Sequence, residues 1–251
     1  MQAPNYGNKC PRLPAEGLLN LALRRAGLSP ACSVLDAAAG TCVRGRAAAP
    51  RADRVTCLEA ASAMPEAGKS GAEKLGIANI SLVEGVAENT PFQDGCFDAV
   101  FSRLAFRHFA SMEKPFGEMN RAPESGGRLV IIGPGGGRRA PAGDSGPHGG
   151  HARPLSRQEP RQNEFAALYG KFGYWTAVRE TRRVQAPLSG RLALTNAPEM
   201  AAREITGLMK AEIQGGGATG FRPRMRGGDI LSEQGHALPI GVKPVDAAGK
   251  A

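Results

Sequence analysis

The chain has 251 residues, 41% of them hydrophobic, so it can bury one sizeable core, and we expect a single domain over 1–251. No apolar run reaches the roughly 18 residues of a membrane span, and the first residues lack the basic-then-apolar order of a secretory signal; both predict a cytoplasmic protein. The net charge of +9 lies mainly in residues 138–226, which hold 15 Lys and Arg against 7 Asp and Glu; this indicates a solvated face or an anionic partner and does not determine the fold.

Helices and strands alternate in the first half, which predicts parallel βαβ units with ligands bound outside the carboxyl ends of the strands. A leucine-rich helical pattern over 18–28 comes first and stops at Gly27 and Pro30. The other predicted helices run from Ser62 toward Leu75 and over Ser111–Arg121, and the predicted strands are Ser33–Asp36, Arg54–Glu59, Ile80–Glu84, Phe97–Phe101 and Arg128–Ile132.

The amino-acid composition changes at Gly133. Residues 133–154 contain 8 glycines and 4 prolines, which predicts a flexible loop over 133–160 between a cofactor-binding half at 14–132 and substrate-side elements at 161–245. Within the last part we predict a helix around 165–172, a strand at Trp175–Val178, a helix from Asn196 to Ile213 and a final strand at Leu238–Val242.

The turn after the first strand is the first candidate for chemistry. Asp36 is followed by Ala37-Ala38-Ala39-Gly40-Thr41, whose small side chains let a nucleotide-like ligand approach the backbone. Glu59 ends the next strand, 23 residues further on, where an acid can accept hydrogen bonds from ribose hydroxyls or merely cap a helix.

Five blocks in this order resemble one family, the class I S-adenosylmethionine-dependent methyltransferases, and in particular its ubiquinone and menaquinone biosynthesis branch. The resemblance extends over about 14–132. The blocks are 34–41 (VLDAAAGT), 55–64 (VTCLEAASAM), 84–92 (EGVAENTPF), 97–102 (FDAVFS) and 126–130 (GGRLV).

This resemblance implies an α/β fold, a Rossmann-like three-layer sandwich whose mostly parallel, seven-stranded sheet has an antiparallel last strand. It implies S-adenosylmethionine as cofactor and a small-molecule methyl acceptor. By position, it assigns the methionine part to the turn from Asp36 to Cys42, the ribose to Glu59, and the adenine and the cleft to the residues after the later strands. The cofactor-binding residues implied in this way are Asp36, Ala38, Gly40, Thr41, Glu59, Ala60, Met64, Val86, Ala87, Ser102 and Arg103.

Two positions depart from the family pattern. Cys42 replaces a glycine, which adds a Cβ where the backbone approaches the ligand. Val86 replaces an aspartate that accepts a hydrogen bond from the adenine amino group, and the loss of such a bond costs about 1 kcal/mol. The sequence therefore leaves open an alternative, a methyltransferase-fold protein that has lost turnover and serves as a binding or structural partner.

Displacement at a sulfonium methyl needs mainly proximity and alignment, so no catalytic triad is expected. A hydroxyl acceptor would need a general base, for which His108 is the candidate, against a structural or solvent-facing role. The five cysteines form no CxxC pair, and His148 and His151 have no nearby cysteine, so we predict no metal site.

Two further functions are weaker. A nicotinamide-dependent oxidoreductase would share the acidic ribose contact, but the turn lacks G-x-G-x-x-G. Nucleic-acid binding by the basic second half has no accompanying aromatic RNA-binding signature, so any phosphate contact would be nonspecific.

Overall fold

The computed structural model describes residues 15–61, 63–134, 162–195 and 197–245. Within them, eight strands form one sheet. In chain order the strands are β1 (Ser33–Ala37), β2 (Arg54–Glu59), β3 (Ile80–Glu84), β4 (Phe97–Arg103), β5 (Pro123–Pro134), β6 (Trp175–Pro187), β7 (Arg224–Arg226) and β8 (Asp229–Val242).

The sheet order is β3-β2-β1-β4-β5-β8-β6, with β7 paired to β8. The pairs among β1 to β5 are parallel, whereas β8 runs antiparallel to both β5 and β6. The order reverses between β1 and β4, which is where open α/β sheets bind their ligands. The predicted mostly parallel sheet with an antiparallel last strand is therefore confirmed, and β7 is added to it.

Along the chain, the helices described come before β1 or between later strands. Helix α1 ends in Arg24 and Arg25, whose charges suit the negative end of the helix dipole. In chain order the helices are α1 (Ala15–Arg25), α2 (Val43–Ala48), α3 (Ala63–Glu73), α4 (Glu113–Arg121), α5 (Gln162–Lys171), α6 (Leu188–Thr195) and α7 (Glu199–Ile213). None of them is both long and apolar enough to cross a membrane.

Two hydrophobic cores lie on opposite faces of the sheet. On the helix-α1 face, α1 and α2 cover alternate strand residues such as Val34, Phe101 and Leu238. On the helix-α4 face, α4 and α5 supply an aromatic cluster in which the Phe116 and Tyr169 ring centroids lie 5.2 Å apart at 86°. Edge-to-face ring pairs of this kind contribute about 1 kcal/mol beyond the burial of their apolar area.

In the second half of the chain, strands β6 and β8 are longer than predicted. Strand β6 runs to Pro187 rather than Val178, and β8 begins at Asp229 rather than Leu238; the two are paired along twelve register positions. Strand β7 joins β8 through Gly227 and Gly228, both at positive φ, as a tight two-residue hairpin requires.

Some expectations fall partly on residues that are not described. The last predicted helix begins at Glu199 after Pro198, and Asn196 is outside the described ranges, as is Ser62 before α3. Most of the loop predicted at 133–160, including His148 and His151, is also outside them. The division into 14–132, 133–160 and 161–245 therefore stays a prediction.

Candidate active site

The carboxyl ends of β1, β2 and β4 meet at one edge of the sheet. Ala37 is in register with Leu58, and Asp36 with Phe101, so the turns that follow these strands begin side by side. The sheet thereby brings together the turn after Asp36, the acid at Glu59 and the residues that follow β4.

The turn from Ala38 to Cys42 has an unusual backbone. Ala38, Gly40 and Cys42 have φ of 53°, 58° and 55°, a left-handed conformation that glycine adopts without strain. No atom of the described residues beyond its chain neighbours lies within 4 Å of where a Cβ of residue 40 would be, so the space beside this glycine is open. Thr41 is buried behind it, and its carbonyl oxygen accepts a hydrogen bond from Arg46 at 2.8 Å.

Glu59 links this turn to the end of β2. Its Oε2 accepts the Gly40 N–H at 2.8 Å, and its Oε1 accepts the Ala61 N–H at 3.1 Å. A carboxylate has about four lone-pair positions, so within the described residues two remain for other donors. The arrangement can accept hydrogen bonds from a pair of neighbouring hydroxyls while it holds the turn in place.

Asp36 supports the turn from the protein interior and does not face its open side. It is 1% exposed; Arg44 Nε donates to Oδ1 at 2.7 Å, and the Gly45 N–H donates to Oδ2 at 3.1 Å. Arg44 also donates to the Ala38 carbonyl oxygen at 2.9 Å. Burial raises the pKa of Asp36, and the Arg44 guanidinium opposes that rise. Both carboxylate oxygens are engaged inside the protein, so Asp36 is a positioning residue.

The Cys42 side chain points into the protein. Its Sγ lies against Gly68 of α3 and 3.8 Å from the Gly40 carbonyl oxygen, and the residue is fully buried. A hydrogen bond with Cys42 and burial raise the pKa of Cys57, so that thiol stays protonated. The crowding expected from Cys42 is therefore absent on the open side of the turn, while the strained φ remains.

The residues assigned to adenine lie after β2 and β3. Ala60 is exposed, Ala87 is buried, and Val86 is 47% exposed. The Val86 carbonyl oxygen accepts the Asn89 N–H at 3.2 Å, but its side chain offers no acceptor. The side chain of Met64 is outside the described part of the chain.

Beyond β4, two of the predicted residues differ in their surroundings. Ser102 is 1% exposed, and its Oγ has no hydrogen-bond partner within the described residues; Arg103 is half-buried. His108 lies in a 3-10 turn, is exposed, and accepts a hydrogen bond at Nε2 from Arg107 Nε at 3.1 Å. The role of His108 as a base stays a prediction.

Sequence reasoning missed Arg44, Arg46 and His236. Arg44 and Arg46 hold the turn from Ala38 to Cys42 through the contacts described above, and His236 is buried in β8 beyond the strand that was predicted. Asp36 and Arg44 are eight residues apart and lie in different elements, β1 and α2. No spacing within one helix or strand predicts their contact, because the turn between them has to fold first. A polar residue two positions before a predicted strand was the available signal for His236.

Comparison with known proteins finds similar sequences over the first half of the chain. Residues 35–131 match the model of a methyltransferase domain. The chain is 30% identical over 114 residues to an uncharacterised methyltransferase, YcgJ, of Bacillus subtilis, covering 45% of each chain. It is 37% identical over 102 residues to the demethylmenaquinone methyltransferase of Thermus thermophilus, covering 39% of this chain and 46% of that one. The matches thus span less than half the length of these curated relatives.

Solved structures share the fold at low identity. The Bacillus subtilis YcgJ structure superposes with a TM-score of 0.68 at 19% identity, covering 92% of this chain and all of that one. The [4+2]-cyclase SpnF superposes with a TM-score of 0.62 at 18% identity, covering 92% and 82%. Residues 35–131 are thus similar to methyltransferase domains, among them those of ubiquinone and menaquinone biosynthesis methyltransferases, and the solved structures show the same fold.

Proposed function

We propose that the chain is an S-adenosylmethionine-dependent methyltransferase that acts on a small-molecule acceptor. When bound, the cofactor supplies a methyl group that is attached to a sulfonium sulfur. This sulfur is the leaving group, so the cofactor already carries it. The protein then has to bind the cofactor, align the acceptor and exclude water. A cytoplasmic location and the size of the acceptor stay predictions.

The residues at the edge of the sheet fit this cofactor. The space beside Gly40 is open, Glu59 keeps two lone-pair positions, and the buried Ser102 Oγ has no partner within the described residues. The observation that carries the proposal is the carboxylate of Glu59, which fixes the turn and can still accept from ribose hydroxyls. Ala38, Gly40 and Thr41 would hold the methionine part, and Ala60, Met64, Val86 and Ala87 would border the adenine.

Replacing Glu59 by glutamine tests the ribose contact. Glu59→Gln removes the charge that strengthens the hydroxyl hydrogen bonds, and we expect the Kd for S-adenosylhomocysteine to rise about 10- to 100-fold. Isothermal titration calorimetry measures this change. Glu73→Gln, at the exposed end of α3, is the matched control and should leave the Kd unchanged.

Two results would decide against the proposal. A folded sample that gives neither heat nor a thermal shift with saturating S-adenosylmethionine or S-adenosylhomocysteine does not bind the cofactor. An unchanged Kd in Glu59→Gln would place the ribose elsewhere. Turnover is then measured separately, as formation of S-adenosylhomocysteine in the presence of an acceptor.

The second candidate is a binding protein that has kept the fold without methyl transfer. Val86 favours it, because the side chain at that position cannot accept from the adenine amino group. A solved structure with this fold is a [4+2]-cyclase, so the fold alone does not fix methyl transfer. Tight cofactor binding with no S-adenosylhomocysteine formed from any acceptor would support this candidate.

A further inference from the structure

His236 is a buried polar residue that is not among the proposed cofactor-binding residues. It lies in β8 between Pro134 of β5 and Arg182 of β6, and it is 4% exposed. Its Nδ1 has no hydrogen-bond partner among the residues that the structure describes. An unsatisfied buried polar atom costs about 1–3 kcal/mol, so it marks a position that a ligand can complete.

His236 and Arg103 point toward the same face of the sheet. Side chains alternate along a strand, and Leu238, two residues after His236, belongs to the helix-α1 core. Phe101, two residues before Arg103, belongs to the same core. Since only β5 separates β4 from β8, both residues lie beyond the last core positions at the carboxyl ends of β4 and β5.

Helix α6 adds a second guanidinium to this place. Arg191 donates from Nη1 to Gln234 Oε1 at 3.2 Å, and Gln234 is two residues before His236 on the same strand face. Burial, Arg103 and Arg191 together lower the pKa of His236 to about 4. The imidazole is therefore neutral near pH 7 and can donate one N–H.

The acid on the same face of β6 is already engaged. Glu180 accepts from Arg25 at 3.1 Å and from Arg182 at 3.0 Å. The charges that lower the pKa of His236, those of Arg103 and Arg191, are positive. The surroundings of its Nδ1 therefore favour an anion.

We propose that Arg103, Arg191 and His236 bind an anionic oxygen group, a carboxylate or a phosphate ester, of the methyl acceptor. Two guanidiniums supply charge-assisted donors, and the neutral imidazole supplies a directional N–H from a dry position. The inference rests on the proposed function. Arg103 ends β4, which pairs with β1, and β1 leads into the turn that is proposed to bind the cofactor. The proposed site narrows the acceptor to a small organic acid or phosphate ester.

Three probes of similar shape test the site: benzoate, phenyl phosphate and the uncharged benzamide. Titration calorimetry on the full chain, saturated with S-adenosylhomocysteine, should show benzoate or phenyl phosphate binding at least 10-fold more tightly than benzamide. The tighter of the two anions identifies the group. Equal affinity for all three probes overturns the proposal.

Two variants connect that affinity to the named residues. Arg191→Gln and His236→Gln should each weaken binding of the preferred anion at least fivefold, whereas Arg226→Gln, on the exposed strand β7, should leave it within twofold. Binding of the anion unaffected by both substitutions contradicts the proposal. The Kd for S-adenosylhomocysteine, measured in the same samples, reports separately on the cofactor site.

A spectroscopic signal covers the case in which His236→Gln fails to fold. In a proton–carbon NMR spectrum of the unaltered protein, the His236 ring signal should shift with the preferred anion and not with benzamide. The signal is assigned through Arg191→Gln, in which it alone of the histidines should move strongly. A His236 ring that no anion perturbs would show a purely structural residue.

Discussion

Asp36 and His236 are both buried polar residues on the helix-α1 face, yet their surroundings are opposite. Both oxygens of Asp36 are hydrogen-bonded to groups of the protein, at 2.7 and 3.1 Å, whereas His236 Nδ1 has no partner within the described residues. A polar group that the fold satisfies completely stabilises the fold. One that the fold leaves unsatisfied has a stability cost, and a ligand can offset it.

The largest effect that this comparison predicts is on Asp36. Asp36→Asn leaves the buried Arg44 guanidinium without its counter-charge, and we expect the free energy of unfolding to fall by about 3–5 kcal/mol. Urea unfolding followed by circular dichroism measures it. The control is Asp53→Asn, which removes an exposed ion pair with Arg54 and should cost less than about 1 kcal/mol. Equal losses in the two variants would mean that Asp36 does not support the turn.

The next effect concerns pH. Unfolded His236 takes up a proton near pH 6.5, whereas the folded chain resists protonation down to about pH 4. The unfolded state thus binds more protons in this window, and the free energy of unfolding falls as the pH is lowered, by about 1.4 kcal/mol per pH unit. Stability curves for the protein and for His236→Gln should diverge between these pH values. The exposed His108→Gln serves as control, and parallel curves for all three proteins would refute the buried, neutral imidazole.

The smallest predicted effect applies the same reasoning to a hydrogen-bond acceptor that is missing at the proposed adenine position. Val86→Asp restores a side-chain acceptor where the adenine amino group is expected, and a new hydrogen bond of about 1 kcal/mol should tighten S-adenosylhomocysteine binding about fivefold. Calorimetry measures the Kd. Val245→Asp adds the same charge at another exposed valine and should change nothing. Weaker binding in Val86→Asp would indicate that adenine lies elsewhere.

Local patterns were sufficient for the first half of the fold. The bounds predicted for β2 and β3 agree with the structure residue for residue, because both strands are short apolar runs between turn signals. The family blocks also placed Glu59 beside the turn that it holds. The side-chain direction of Cys42 could not be predicted, since it depends on the space left by Gly68 in the next helix.

The second half depends on contacts between distant residues. The start of β8, with Glu233 and Gln234, shows no apolar alternation, and it is a strand because it pairs with β6 about fifty residues earlier. Helix α6 was missed for the same reason, because its small core of Leu188, Met209 and Ile230 forms only when α6, α7 and β8 come together. Strand β7 is exposed, and it is a strand because it pairs with β8. The proposed anion site lies in this region, so no local pattern indicated it.

The place of β8 in the sheet also determines the order in which the molecule can assemble during translation. It follows β6 in the chain but lies between β5 and β6, so the emerging polypeptide has two unprotected strand edges until β8 leaves the ribosome. Its insertion closes both edges in one late, long-range step, which is slow compared with pairing of neighbours. Chains interrupted before Asp229 would lack both the completed sheet and His236, and we expect them to be degraded or to aggregate.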